Sequence, residues 1–135
     1  MKLGCFDAQS RGNVITRPDT PRAWSNDLGS RQYGGITTQG AGGYSFTRPP
    51  AKGRILRHRY NSIPMGLPGR QFYVRSCASG DFWSAACHAT RKPLDQYQTQ
   101  THLGPGYAVI ASEYADIHTE STYFTPLDAG FEYRH

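Results

Sequence analysis

Five residues of this chain have the make-up of a saccharide contact: Trp24, Asn26, Tyr44, Trp83 and His102. An aromatic face stacks on the apolar face of a sugar ring, while amide and imidazole groups bond its hydroxyls. The run Trp24-Ser25-Asn26-Asp27-Leu28-Gly29 reads as an irregular loop, with one indole and two side chains able to bond their own backbone. A capped turn with Trp24 plugged into the core is the competing reading. Tyr44 follows the glycine cluster Gly40–Gly43, Trp83 stands beside a tight turn, and His102 lies on the rim of a Gly104-Pro105-Gly106 turn. A large aromatic beside a turn either packs the core or forms a platform, and the core is the commoner fate.

Other chemistries find less support. The histidines, His58, His88, His102, His118 and His135, have no spacing that would set two ligands on one helix face or across a knuckle, so neither a metal nor a cofactor is expected. Cys87 and His88 are adjacent, and on a strand they point to opposite faces, so a nucleophilic pair would need a histidine from elsewhere. Glu113, Asp116 and Glu120 have the types of a glycosidase carboxylate pair, but carboxylates near a β-turn are ordinarily solvated. No catalytic residue is assigned. A phosphate-cradling reading of Gly40-Ala41-Gly42-Gly43 requires a following helix, and Pro49-Pro50 stands where it would begin. Gly42-Gly43 reads instead as a turn or bulge where backbone passes close to something.

The elements that must position these residues are strands. In Gln71–Arg75, Phe72 and Val74 share one face while Tyr73 and Arg75 share the other; Ser79-Gly80-Asp81 turns the chain and Phe82–Ala85 resumes the pattern. Residues 3–16 form an opening hairpin with a turn at Asp7–Gly12. Arg54–Tyr60 is a strand candidate whose arginines either bind phosphate or form a solvated basic face. Ala89–Tyr97 is irregular, and Tyr107–Glu113 with Ile117–Thr125 makes a last hairpin. Hairpins at this spacing, 15 glycines and 9 prolines, and no long helical periodicity predict an all-β antiparallel sandwich.

With 135 residues the chain is sized for one domain. Its net charge of +5 raises the possibility of an anionic partner, yet the arginines are dispersed, so any nucleic-acid binding is expected to be weak and non-specific. Three cysteines without a C-x-x-C spacing, and no apolar stretch long enough for a signal or a membrane span, predict reduced thiols and a cytoplasmic protein.

Several runs, taken in order, resemble one family. They are Val14–Arg22, Ala41–Phe46, Arg54–Arg57, Pro68–Arg75, Ser79–Ser84, Gly104–Tyr107, Ser112–Tyr114 and Thr122–Asp128. Together they are similar to the amino-terminal domain of the cellobiose phosphorylase and cyclic β-glucan synthase family, glycoside hydrolase family 94, formerly glycosyltransferase family 36. Trp24–Asp27 is nearer the cyclic glucan synthase branch, and Thr101–Tyr107 departs from the family's usual Arg-His-Gly run by an added proline and a lost arginine. The resemblance implies a galactose-mutarotase-like supersandwich, of which residues 1–135 are the first half, followed in the family by linker helices and an α/α barrel. Family members cleave a β-glucoside such as cellobiose with inorganic phosphate and invert the anomeric carbon. Their general acid and phosphate-binding residues lie on the barrel, so none carries over to this chain. Three functions follow as expectations. The first is a non-catalytic sandwich fragment of such a phosphorylase, inactive alone and prone to self-association. The second is a stand-alone carbohydrate-binding module using Trp24, Tyr44 and Trp83, and the third is a basic nucleic-acid-binding protein.

Overall fold

The computed structural model describes residues 3–47, 50–56 and 69–135. All strand pairing is antiparallel, in sheets of six, three and two strands. The opening hairpin joins β1 (Gly4–Asp7) to β2 (Gly12–Ile15). Its turn is closed by the Asp7 carboxylate, which accepts from the Ser10 hydroxyl at 2.6 Å and from the Gln9 and Ser10 amides at 3.1 and 3.2 Å. The chain then leaves this sheet through Arg17–Pro21 and builds a meander of β3 (Ser25–Gly29), β4 (Tyr33–Thr38) and β5 (Gly43–Thr47). A small hairpin follows, β6 (Tyr73–Arg75) and β7 (Phe82–Ser84). Gly80 takes the positive φ of 75° that its turn requires.

After a single 3-10 turn at Leu94–Gln96 the chain returns to the first sheet with β8 (Gln98–Gly104), β9 (Tyr107–Tyr114) and β10 (Ile117–Phe124), and ends on β11 (Tyr133–Arg134). The order in the large sheet is β1-β2-β8-β9-β10-β11. The β9–β10 turn places Ala115 and Asp116 at φ 52° and 61°, the two left-handed positions whose twist matches that of the flanking strands.

Strand alternation makes the core. In β9 the buried residues are Ala108, Ile110, Ser112 and Tyr114, every second position. Ile110, Ala108 and Leu103 of the large sheet meet Leu28 of β3, with Ile15, Ala41, Ala86 and Tyr123 completing one cluster between the two layers. A second cluster under the β6–β7 hairpin holds Trp83, Cys87, Tyr97 and Tyr114, with Val74 against it. Trp83 and Tyr97 both pack against Tyr114 with tilted rings, at centroid distances of 5.2 and 4.6 Å. The all-β antiparallel class and the hairpins at 3–16, 71–85 and 107–125 are as the sequence predicts.

Three local expectations need correction. Residues 25–29 are a strand and not an irregular loop, because pairing with β4 and the complete burial of Leu28 override the poor strand propensity of Ser-Asn-Asp. His102 lies inside β8, paired with Val14 on one side and Val109 on the other, and the turn begins only at Pro105. The strand expected at Arg54–Tyr60 is, in its described part, a bridge from Arg54 to Phe46 followed by a bend at Ile55 and Leu56; the remainder lies outside the described residues. Among the described residues no helix is long and apolar enough to cross a membrane.

Candidate functional site

The outward face of the β3–β4–β5 meander carries a hollow of about 520 Å³. Strand register explains its shape. Asp27, Ile36 and Tyr44 lie side by side across the three strands, and the next row along is Gly29, Gly34 and Phe46. Two of that row have no side chain, so the floor is low where Phe46 alone contributes bulk. A Cβ at Gly34 would overlap the Phe46 ring, so the phenyl group lies over bare backbone and is fixed there. Phe46 stands 5.7 Å from the Tyr44 ring, inclined by 31°. The β3–β4 turn supplies Arg31 and Gln32 at the other rim. Neither the Asp27 carboxylate nor the Arg31 guanidinium has a hydrogen bond or ion pair among the described residues. The hollow thus combines two aromatic rings, an acceptor carboxylate and two donors, a combination suited to a neutral polar ring compound.

A buried polar cluster holds this meander from the side. Arg70, with a side chain 0 % exposed, pairs in bidentate fashion with Glu132, itself 2 % exposed. Its guanidinium also donates to the carbonyls of Ile36 at 2.8 Å and Tyr44 at 3.4 Å, the two residues paired in the row that lines the hollow. Glu132 accepts further bonds from the Tyr33 hydroxyl at 3.0 Å and Arg134 at 2.9 Å. Gly35 makes room for the pair: a Cβ there would stand 3.0 Å from Arg70 Nη2 and 3.2 Å from Glu132 Oε2. Burial raises the Glu132 carboxyl's pKa, but the hydrogen bonds and charge of Arg70, with those of Arg134, outweigh it and hold the group below the ordinary glutamate value. The arrangement is a fully partnered lock between three parts of the chain, and it leaves no acid free for proton transfer.

The five sequence candidates do not converge on one place. Tyr44 lines the hollow. Trp24 is half-buried and packs against the main core cluster. Asn26 points to the opposite side of β3 from Asp27, and its amide donates to the carbonyls of Gly104 and Tyr107, both at 2.8 Å, tying the meander to the β8–β9 turn. Trp83 is 2 % exposed in the second cluster, so its ring is not a surface platform in this structure. His102 is half-buried on the outer face of the large sheet. Among the described residues no group of histidines, cysteines or carboxylates has the geometry of a metal site. Cys87 is buried, and desolvation pushes its thiol up to about 12, which removes it as a nucleophile at neutral pH. Its neighbour His88 is also desolvated, with its pKa lowered, and its ring lies over Gly40.

Arg31, Phe46, Arg70 and Glu132 were not among the sequence candidates, and Asp27 entered only as part of the Trp24–Gly29 run. Asp27 and Phe46 lie in runs that the family resemblance covers, but nothing in those runs marks either as a contact, and Arg31 sits in a turn-rich stretch without a motif. Phe46 had one legible signal, the glycine pair Gly34-Gly35 one strand away, since a ring over a strand glycine is a recurrent sheet device.

The sequence of the glycosyl hydrolase 94 supersandwich domain matches residues 11–135 of this chain. The chain belongs to glycoside hydrolase family 94. Within that family it is 39 % identical over 126 residues to the N,N'-diacetylchitobiose phosphorylase of Vibrio proteolyticus, and 36 % identical over 126 residues to that of Vibrio furnissii. Each alignment covers 93 % of this chain and 16 % of the relative. A solabiose phosphorylase of Paenibacillus borealis is 27 % identical over 123 residues, covering 85 % of this chain and 15 % of the relative. The chain therefore spans about one-sixth of the length of these curated glycoside hydrolase 94 relatives.

Proposed function

We propose that this chain is the amino-terminal part of the supersandwich of a disaccharide phosphorylase, in which it serves as a non-catalytic structural and saccharide-contacting module. The 39 % identity to a diacetylchitobiose phosphorylase, sustained over 93 % of the chain, carries the reading. It favours a β-linked N-acetylated disaccharide over cellobiose as the substrate of the whole protein, with inorganic phosphate as co-substrate and a cytoplasmic location.

Phosphorolysis needs a proton donor at the leaving oxygen and a cationic seat for phosphate on the opposite face of the sugar. Among the described residues Asp27 and Arg31 share one hollow, but both are exposed on the meander's outer face, open to water and not in the dry, preorganised setting that such chemistry needs. Glu132 is committed to Arg70 and Arg134, and Glu113, Asp116 and Glu120 are exposed around the β9–β10 hairpin. Those functions fall to a barrel domain, as in the family resembled. The test is phosphate-dependent release of a sugar 1-phosphate from N,N'-diacetylchitobiose and from cellobiose. It compares the 135-residue chain with the protein encoded by its gene's full reading frame. The reading expects turnover of the N-acetylated disaccharide by the latter and none by the 135 residues alone. Turnover by the short chain that Asp27→Asn, Glu113→Gln or Glu120→Gln abolishes would overturn it.

A further inference from the structure

We propose that the hollow on the meander's outer face is a saccharide-binding site in its own right. Its ligand class is a short oligosaccharide, held without any catalytic step. The argument rests on what the hollow contains and on what its charged groups lack.

A pyranose ring presents an apolar C–H face and a rim of hydroxyls that both donate and accept. Phe46, half-buried and with its ring lying over Gly34, supplies an aromatic wall for the face, with Tyr44 packed beside it. Asp27 is an acceptor with all its lone pairs uncommitted to protein among the described residues, and Arg31 is a donor in the same state. Asp27 and Arg31 line one hollow without an ion pair between them, so both charges are open to a ligand. The volume of about 520 Å³ lies in the range of small-molecule sites.

Backbone engineering beneath the site points the same way. Gly29 leaves the floor clear on β3 and Gly34 seats the Phe46 ring, while Arg70 holds the carbonyls of Ile36 and Tyr44 from the protein side. The wall is therefore built on strands whose backbone is fixed before any ligand arrives, which lowers the ordering cost of binding. A contact open on one side and without a lid gives an expected Kd of about 1 mM.

This inference deepens the saccharide-contacting part of the proposed function and rests on it, as does the choice of N-acetylated sugar as a probe. The experiment is amide-resolved NMR titration of the 135-residue chain with N,N'-diacetylchitobiose and, separately, cellobiose. Asp27→Asn and Arg31→Ala serve as variants at exposed positions whose side chains hold nothing in the fold, and Phe46→Leu serves as a third. The expected result is saturable shifts confined to Asp27–Ile36 and Tyr44–Phe46, with affinity at least about tenfold weaker in Asp27→Asn and in Phe46→Leu. Shifts that do not saturate, that centre on other residues, or that persist unchanged in all three variants would overturn the proposal. A saccharide-binding hollow in a protein whose full reading frame shows no phosphorolysis would leave this inference standing and sink the other. Phosphorolysis without any perturbation at the hollow would sink this inference and the saccharide-contacting role, and would leave the phosphorylase reading standing.

Discussion

At the scale of single residues, the difference between a ligand contact and a structural tie is decided by hydrogen-bond inventory. Asn26 looked like a sugar contact because it follows a tryptophan in a polar run; in the fold its amide protons are consumed by Gly104 and Tyr107, 78 and 81 residues away. No local sequence feature announces a partner that distant. Asn26→Asp should therefore act on stability: a carboxylate cannot donate, so two carbonyls lose their partner beside an added charge, at a cost of roughly 1–3 kcal/mol in chemical denaturation. A ligand contact alone would leave the midpoint unchanged. Arg70 and Glu132 are a sharper case, since both were visible in the sequence but nothing linked them across 62 residues. Removing one partner of a buried pair strands the other, so Glu132→Gln or Arg70→Met should each cost roughly 3–5 kcal/mol, and a double replacement by apolar residues should recover much of it. The pH dependence has a definite sign. Glu132 is held below its ordinary value of 4.5, so its contribution is complete above that pH and is lost as pH falls toward the folded-state value. Acid unfolding monitored by circular dichroism should be shallower below pH 4.5 in Glu132→Gln than in the parent.

At the scale of elements, period-2 alternation was legible wherever both flanking strands are local hairpin partners, as in β6–β7 and β9–β10. It failed at β3, whose Ser-Asn-Asp composition gives no strand signal and whose extended form depends on β4. The β8–β9 hairpin shows the same effect in reverse. A Gly-Pro-Gly cluster suggested a long turn, but Gly104 remains in the strand, covered by the Tyr107 ring opposite it. The reading of Gly42-Gly43 as a site of close backbone approach does have a structural counterpart. Gly42 bridges to Gly69, and Gly43 adopts φ 119° with its Cβ position occupied by the Ile36 carbonyl. Alanine at 43 has both a forbidden φ and an overlap with backbone that cannot swing aside. Gly43→Ala should destabilise by more than about 1 kcal/mol and, by displacing β5 from β4, should weaken the hollow as well. Gly80→Ala is the matched control: φ is also positive, at 75°, but the Cβ position is open, so the loss should be limited to the conformational term of about 1 kcal/mol. Thermal melts of the two variants compare these costs directly.

At the scale of the whole molecule, fold class was readable from composition because glycine, proline and aromatic content leave little besides strands and turns. Layer assignment was not, since which hairpin crosses to the second sheet depends on pairings such as β2 with β8 that lie 86 residues or more apart in sequence. The finished surface carries an apolar excess. Phe6, Phe131, Leu127, Tyr73 and Phe82 are each more than half exposed, and Phe72 and Ile117 more than a third. Tyr73 and Phe82 share the outward face of the β6–β7 hairpin, diagonal to one another across the register, while Val74 and Trp83 fill the inward face. Apolar groups presented on a ribbon that is two-stranded among the described residues favour association. The net charge of +5 opposes it by mutual repulsion. These two forces respond oppositely to salt, and that separates them. Screening removes the repulsion within a Debye length of about 8 Å at physiological ionic strength, and sulfate strengthens apolar burial. Self-association of the 135-residue chain should therefore rise with ammonium sulfate, whereas any binding to nucleic acid should fall steeply as salt increases. Light scattering after size-exclusion chromatography should show a concentration-dependent mass above that of one chain, reduced by Phe82→Ser, which removes an exposed ring without touching the Trp83 cluster. A monodisperse monomer in high sulfate would mean that the exposed rings are tolerated singly and that residues 1–135 close their own core. Sequence-specific DNA binding retained at physiological salt would instead show that the basic surface, and not the apolar one, is the part of this chain that meets a partner.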